Sequence, residues 1–270
     1  MNGLLSNSKR SVLALALTIF AIAGASAQTP KPSQQQTPPV TTPSPQSTTK
    51  PSPERQFVSN ILRDQRAIWT SPLHLHPQDA WWLAPLTAGT VALLATDRFT
   101  TEEGLEFSSI GTNLRVSNDL SKLGSGYAAA GVSGAFYLVG RITDNPRARE
   151  TGLLAGEALI DGAIVSTVIK AISQRPRPHS DSGRGDFLDG GNSFPSGHSM
   201  AVWAVATVIA LEYRKHRWVP VTAYGIAALV SVSRFTGSHH FLSDVLVGSA
   251  IGFGTARYVY QSHHDPVLNP

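Results

Sequence analysis

The segment DVLVGSAIGFGTARYVY, residues 244–260, decides the fold class of this chain. Its apolar residues recur at helical spacing, over a length greater than that of ordinary strands. The same holds for GYAAAGVSGAFYLVG, residues 126–140, and no alternating strand–turn–strand series follows residue 54. Gly248 and Gly252 are one helical turn apart, which allows two helices to approach closely. The pattern predicts an all-α fold.

We predict a single bundle of six to seven helices. They are expected at roughly 54–69, 79–96, 126–142, 147–173, 197–215, 219–233 and 241–261. The stretches between them, in particular 98–125 and 179–192, are expected to be loops that line a groove beside the bundle.

The N-terminal part is not expected to join this bundle. Residues 1–27 are typical of a secretory signal peptide, because Lys9 and Arg10 precede an apolar run that ends in the small-x-small pattern of residues 25–27. An uncleaved membrane anchor is the alternative. Residues 28–53 consist almost entirely of Gln, Thr, Ser and Pro, a composition that predicts a disordered linker. We therefore predict a signal peptide (1–27), a linker (28–53) and a helical domain (54–265), in a protein exported to the periplasm or secreted.

Composition and charge exclude several function classes. The formal net charge of +4 falls to +2 without Lys9 and Arg10, so nucleic acid is not an expected partner. The sequence has no cysteine, which excludes disulfides, thiol nucleophiles and cysteine-bound metals. Glu157 and Asp161 interrupt the 147–173 segment and are expected either on a solvated helix face or as partners of nearby cations. A soluble or peripherally attached bundle is therefore favoured over a membrane-spanning one. Contact with a membrane stays open, and the sequence does not indicate an oligomeric state.

Three short motifs carry residues suited to phosphate chemistry. The first, KAISQRPRPHS, places Lys170 in the last turn of a predicted helix and Arg177 just beyond it. Cations this close repel one another unless an anion lies between them. The motif therefore fits either an anion-binding site or a basic helix C-terminus that faces solvent. Arg175 and His179 flank this motif and are expected on the leaving-group side of any pocket.

The second motif, Pro195-Ser196-Gly197-His198, stands at the start of an apolar run. By itself it is also typical of a helix N-cap. Ser196 is not expected to be a serine-hydrolase nucleophile, because neither a Gly-x-Ser-x-Gly elbow nor a strand precedes it.

The third motif, SVSRFTGSHHFLSDVLVG, contains Arg234, His240 and Asp244. A His–Asp pair four residues apart shares one helix face, so the carboxylate can fix the imidazole tautomer and leave the other nitrogen as a lone-pair donor. A purely structural pair is the alternative. His239, beside it, is expected only to help line the site.

Together, the three motifs in this order resemble the type 2 phosphatidic-acid phosphatase superfamily, which also contains bacterial acid phosphatases and vanadium-dependent haloperoxidases. The resemblance runs from about residue 80 to residue 260 and shows no departure at the motif positions. It implies that Lys170, Arg177 and Arg234 hold the phosphoryl oxygens, with Ser196 and Gly197 contacting the same oxygens.

The resemblance also implies the catalytic roles. His240 is implied as the nucleophile that forms a phosphohistidine, with Asp244 orienting it, and His198 as the general acid and then the base. Neither a metal nor another cofactor is implied, although vanadate is expected to bind as a phosphate mimic.

The function expected is a phosphatase that hydrolyses phosphate monoesters or pyrophosphates, of lipids or of small soluble molecules. A vanadate-dependent haloperoxidase and a non-catalytic phosphate- or lipid-binding protein are the alternatives. His74, His76, His263 and His264 are expected to be surface residues rather than metal ligands. Trp81 and Trp82 fit either a membrane-interface belt or packing in the core or in a groove.

Overall fold

The computed structural model describes residues 53–180 and 183–268, so the predicted signal peptide and all but the last residue of the predicted linker lie outside the described residues. The described part contains eight α-helices and no strand, which confirms the all-α prediction and exceeds the predicted number of helices by one. The helices are α1 (Pro53–Thr70), α2 (Ala80–Ser109), α3 (Gly111–Lys122), α4 (Gly126–Ile142), α5 (Pro146–Ser173), α6 (Gly197–Glu212), α7 (Trp218–Thr236) and α8 (Leu242–His263).

The region 98–125, expected to be a loop, is mostly helical. Helix α2 continues to Ser109, and α3 occupies Gly111–Lys122. The prediction was wrong because it relied on apolar periodicity, whereas the inward faces here are polar or small. The buried residues of α2 are Thr90, Asp97, Thr101 and Gly104, and those of α3 are Ser117 and Ser121.

Helix α6 lies at the centre of the bundle and packs against α5, α7 and α8. Its side chains at Ala204 and Val208 have no exposed surface. The crossing with α8 is close, as predicted from the spacing of Gly248 and Gly252. A Cβ atom at Gly252 would overlap the carbonyl oxygen of Met200 on α6, and one at Gly248 would overlap that of the N-cap residue Ser196. This contact brings the first turns of α6 and α8 together at one end of the bundle.

The acidic residues of α5 face the interior instead of solvent. Glu157 is 2% exposed and Asp161 is fully buried, so the expectation of a solvated face was wrong. Beyond Asp161, the exposed positions of α5 are apolar except for one threonine, namely Ile164, Thr167, Val168, Ala171 and Ile172. The charges of Glu157 and Asp161 therefore give no argument against contact of this helix with lipid.

Apolar side chains also cover the outer faces of α4 and α7. Tyr127 and Ile142 mark the two ends of α4 and are 94% and 80% exposed, and Trp218 and Val221 on α7 are at least 70% exposed. Trp81, at the start of α2, is 80% exposed, which excludes packing of this residue in the core. Two described segments, Pro146–Ser180 and Trp218–Thr236, are long and apolar enough to cross a membrane, a property they share with core helices of soluble proteins.

Candidate active site

The three sequence motifs converge at one end of the bundle. This end collects the C-terminal ends of α5 and α7 and the N-terminal ends of α6 and α8. Lys170 lies in the last turn of α5 and Arg234 in the last turn of α7. His198 is the second residue of α6, and His240 lies two residues before α8. Helix packing thus brings together residues separated by up to 74 positions in the chain.

Three cationic side chains lie close enough to repel one another. Lys170 Nζ donates to the carbonyl oxygens of Pro195, at 2.5 Å, and Asn192, at 2.8 Å. Arg177 Nε donates to Asn192 Oδ1 at 3.2 Å. The charges of Arg177 and Arg234 both act unfavourably on Lys170. Positive charge held together in this way favours an anion.

Arg234 is almost completely buried, with 5% of its surface exposed. One of its terminal nitrogens donates to the hydroxyl of Ser121 on α3. Its Nε has no hydrogen-bond partner among the described residues. An unpaired buried guanidinium nitrogen is costly, and a phosphoryl oxygen is a suitable acceptor for it.

The motif around residues 195–198 forms the start of α6. Ser196 is the N-cap, and its side-chain oxygen accepts from the Ser199 amide at 3.5 Å. The Ser196 amide donates to the backbone oxygen of Asp244 at 2.9 Å, which ties α6 to the start of α8. Gly197 opens the helix and is partly exposed, so its backbone is open to a phosphate in the region of positive helix potential.

His240 is held by Asp244 together with a serine that the sequence did not indicate. Nδ1 of His240 lies 3.5 Å from Asp244 Oδ2 and 3.3 Å from the hydroxyl of Ser193. Ser193 donates to the same carboxylate oxygen at 2.5 Å. Because Nδ1 faces these two groups, Nε2 is the nitrogen that can act as a nucleophile.

His240 and Asp244 do not lie on one face of a continuous helix, as was predicted. Helix α8 begins only at Leu242, so His240 precedes it and Asp244 lies in its first turn. Asp244 Oδ2 accepts from the amide of Phe241, at 3.1 Å, as a helix-capping carboxylate. The turn at the start of α8, and not a continuous helix, therefore brings these two side chains together.

Arg175 pairs with the carboxylate oxygen of Asp244 that does not face His240. It is 2% exposed, and its NH1 nitrogen donates to Asp244 Oδ1 at 2.7 Å while NH2 donates to Asp97 Oδ2 at 2.9 Å. The guanidinium also lies 3.9 Å from the centre of the Phe241 ring. The expectation that Arg175 faces the leaving group was therefore wrong. Asp97 was missed altogether, because a single aspartate in a polar-faced helix gives no signal in the sequence.

The environment shifts the pKa values of the central residues. Burial lowers the pKa of His240 to about 4, although Asp244 acts in the opposite direction. Burial and the charge of Arg234 lower the pKa of His198 to about 4 as well. Burial would raise the pKa of Asp244, but Arg175 and His240 hold it at about 2. The resulting state at neutral pH has two neutral imidazoles beside an ionised carboxylate.

Two further histidines border the site. His239 Nε2 lies 2.8 Å from Asn118 Oδ1 on α3, and His179 Nδ1 lies 3.2 Å from the Ser238 carbonyl oxygen. Burial lowers the pKa of His239 to about 4. A cavity of about 580 Å³ begins beside Arg177 and is lined by the loop between α5 and α6. Arg177 is the member of the cationic cluster that lines this cavity.

The four other histidines named in the sequence analysis divide into two groups. His74 and His76 are exposed, as predicted. His263 and His264 are not free surface residues, because their side chains are only 10% and 13% exposed and each lies within 3.7 Å of a carboxylate oxygen. Helix α8 runs to His263, two residues beyond the predicted end, and His264 is its C-cap, so both histidines are half-buried beside carboxylates of other helices.

Comparison with known proteins supports the resemblance that the motifs indicated. The family model described as the PAP2 superfamily matches residues 151–267, which include all three motifs. A lipid A 1-phosphatase from Porphyromonas gingivalis is 42% identical over 62 residues, 23% of this chain and 14% of that protein. A phosphatidylglycerophosphatase B from Bacillus subtilis is 36% identical over 101 residues, 33% of this chain and 46% of that protein. The chain thus spans less than half the length of these curated relatives.

A solved structure has the same fold. It is described as the first transmembrane PAP2 type phosphatidylglycerolphosphate phosphatase from Bacillus subtilis. The two superpose with a TM-score of 0.50 and 24% identity, over 65% of this chain and 92% of that one. The resemblance predicted from the sequence is confirmed.

Proposed function

We propose, from the membership of residues 151–267 in the PAP2 superfamily and from the site described above, that this protein is a phosphatase. It hydrolyses phosphate monoesters or pyrophosphates of lipids through a phosphohistidine intermediate. The observation that carries the proposal is the convergence of His240, His198 and three cations at one end of the bundle, with His240 backed by a buried carboxylate.

In the first step, Nε2 of His240 attacks phosphorus in line with the leaving oxygen. The bound phosphate offsets the nearby cations, so His198 takes up a proton from solvent when the substrate binds. A P–N bond then forms and the P–O bond to the leaving group breaks, while His198 gives this proton to the departing oxygen. Lys170, Arg177 and Arg234 neutralise the charge on the equatorial oxygens. Asp244 stabilises the positive charge that develops on His240.

In the second step, His198 takes a proton from water, and the resulting hydroxide attacks phosphorus. The P–N bond breaks, inorganic phosphate leaves and His240 is neutral again. The guanidinium and ammonium groups supply the positive charge that a metal supplies in other phosphatases, so we propose that the reaction needs no cofactor. Vanadate is then an inhibitor that occupies the phosphoryl position.

Lipid phosphates are the substrate class best supported by the molecule. The outer faces of α4, α5 and α7 are apolar, and contact with hydrocarbon would remove them from water. The relatives are named as phosphatases of lipid A and of phosphatidylglycerophosphate. We propose that the bundle sits in a membrane with its phosphate site at the surface.

The test is phosphate release from phosphatidylglycerophosphate and phosphatidic acid in vesicles, with para-nitrophenyl phosphate as the soluble comparison. We expect the membrane fraction to carry the activity and to prefer the lipids. The His240→Asn variant should lose about four orders of magnitude in turnover, whereas His74→Gln, an exposed histidine, should be unaffected.

Three results would contradict the proposal. Full turnover by His240→Asn would exclude the nucleophile. Phosphate binding without turnover on any of these esters would support a binding protein. Bromination with peroxide and vanadate, without phosphatase activity, would support a haloperoxidase.

A further inference from the structure

A second cluster of titratable side chains lies far from the phosphate site. Glu157 precedes Lys170 by 13 residues on α5, a rise of about 20 Å. His263 ends α8, whose first turn contains Asp244, so it lies at the opposite end of that helix. Asp64 on α1 faces both of them. The cluster therefore joins three helices at the end of the bundle away from the candidate active site.

Negative charge in this cluster exceeds positive charge. Asp64 and Asp161 are fully buried and Glu157 is 2% exposed. Within residues 53–180 and 183–268, no lysine or arginine forms an ion pair with any of these three carboxylates. His263 Nε2 lies 2.9 and 2.8 Å from the two oxygens of Asp64 and is the cluster's cationic partner. Buried carboxylates without compensating charge are costly, so a further positive charge would stabilise the site.

Several buried oxygens in the cluster have no hydrogen-bond partner. They are Glu157 Oε2, Asp161 Oδ2 and Asn60 Oδ1, with partners searched among the described residues. The other oxygen of each carboxylate is fixed, because Asn60 Nδ2 donates to Glu157 Oε1 at 3.0 Å and Gln65 Nε2 donates to Asp161 Oδ1 at 2.8 Å. Amide groups thus orient the acids and leave one oxygen of each available as a ligand.

We propose that Asp64, Glu157 and His263 bind one divalent transition-metal ion, with Zn²⁺ as the best match. One ligand atom from each residue lies within 4.8 Å of the others. In a tetrahedral site with ligand atoms 2.0–2.2 Å from the ion, the ligand atoms lie about 3.3–3.6 Å apart, so metal binding would draw these atoms together by up to about 1.5 Å. An imidazole with two carboxylates is a ligand set that suits zinc.

Access and the remaining coordination position come from a neighbouring cavity. A cavity of about 490 Å³ is lined by Asn60, Glu157 and His263, among other residues. Water from it can complete a tetrahedral site.

A neighbouring triad is a weaker candidate. Glu150, Glu212 and His264 also bring ligand atoms within 4.8 Å. However, Arg147 Nε donates to Glu212 Oε1 at 3.1 Å, and the amide of Asp265 donates to Glu150 Oε1 at 2.6 Å. An arginine already balances part of this charge, and His264 serves as the matched control for His263.

The bound ion would fasten α1 to the bundle. Asp64 belongs to α1, whereas Glu157 and His263 belong to α5 and α8. Helix α1 follows directly after the predicted linker. Metal binding would therefore raise the Tm and protect α1 from proteolysis, independently of the phosphatase reaction.

The test uses the full chain purified without a polyhistidine tag, stripped with a chelator and titrated with Zn²⁺. We expect one Zn²⁺ per chain by elemental analysis, a Tm that rises by several degrees and slower cleavage within α1. The isosteric variants Asp64→Asn and Glu157→Gln, and His263→Gln, should each weaken Zn²⁺ binding at least tenfold. His264→Gln should bind as the unmodified protein does. Circular dichroism of each stripped variant checks that the helices persist.

Two outcomes would overturn the proposal. Absence of Zn²⁺ binding above background, with an unchanged Tm, would mean that protons alone neutralise the cluster. Loss of binding in His264→Gln with retention in His263→Gln would assign the ion to the neighbouring triad. Neither result bears on phosphate release, so failure here and failure of the proposed function remain distinguishable.

Discussion

Replacement of Arg175 by methionine should damage both stability and catalysis, since this buried side chain joins two carboxylates. It contacts Asp244 at 2.7 Å and Asp97 at 2.9 Å. Removing one member of a buried ion pair costs about 3–5 kcal/mol, because the partner charge is left uncompensated. A domain of about 200 residues loses about 2–4 °C of Tm per kcal/mol. Arg175→Met should therefore lower the Tm by about 6–20 °C.

Arg175→Met should also shift the pH dependence of catalysis, in a direction that a purely structural role of Arg175 would not produce. Arg175 opposes the effect of burial and holds the pKa of Asp244 at about 2. Without it, burial raises this pKa, and Asp244 takes up a proton at a higher pH than before. Because the ionised carboxylate supports His240, the acid limb of the kcat/KM profile should move to higher pH.

The assay is a pH profile of phosphate release, recorded at a temperature where each variant is folded, together with a thermal melt. Asp97→Asn keeps the contact between Arg175 and Asp244 and should show the Tm loss with a smaller shift of the acid limb. Arg66→Met removes an exposed arginine of α1 and is the control. An Arg175→Met protein with an unchanged Tm and an unchanged acid limb would refute the reasoning.

Three further predictions concern other parts of the site. Ser193→Ala removes a hydrogen bond to the ionised carboxylate of Asp244. Such a bond contributes about 1.5–3 kcal/mol, so kcat should fall about 10- to 150-fold. An unchanged kcat would show that the carboxylate alone orients His240. Gly252→Ala introduces a methyl group into the α6–α8 contact and should lower the Tm, whereas Gly225→Ala meets open space and should not; equal Tm values in thermal melts would contradict this. Inorganic phosphate should cancel the positive charges that contribute to the low pKa of His198, so phosphate binding near pH 6 should be accompanied by uptake of a proton. Calorimetry in buffers of different ionisation enthalpy detects this uptake. The uptake should vanish in His198→Asn.

The sequence predicted the parts of this molecule that follow from local pattern. The ends of α4 were predicted without error, and those of α5 within one residue, because Gly126 follows a Ser N-cap and Pro146 occupies the first turn of its helix. The motif residues were assigned from their resemblance to the type 2 phosphatidic-acid phosphatase superfamily, and the structure brings the three motifs to one end of the bundle. These features depend on a few consecutive residues.

Contacts between distant polar residues were not predictable in this way. The inward face of α2 carries Thr90, Asp97 and Thr101, so apolar periodicity gave no helix signal beyond its first half. Glu157 was assigned to a solvated face because charge usually indicates exposure. Its actual burial depends on Asn60, 97 residues away, and no single-sequence pattern encodes that pairing. Ser193 reaches His240 in the same way, through tertiary packing.

The most direct test of the central claim is to trap the phosphorylated enzyme. The protein is mixed with ³²P-labelled phosphatidic acid in detergent micelles, quenched in alkali within milliseconds and digested for mass spectrometry. We expect an alkali-stable, acid-labile phosphoryl group on His240 that disappears in His240→Asn and persists in the control His74→Gln. Phosphate release at full rate without labelling, or a label on any other residue, would contradict the account.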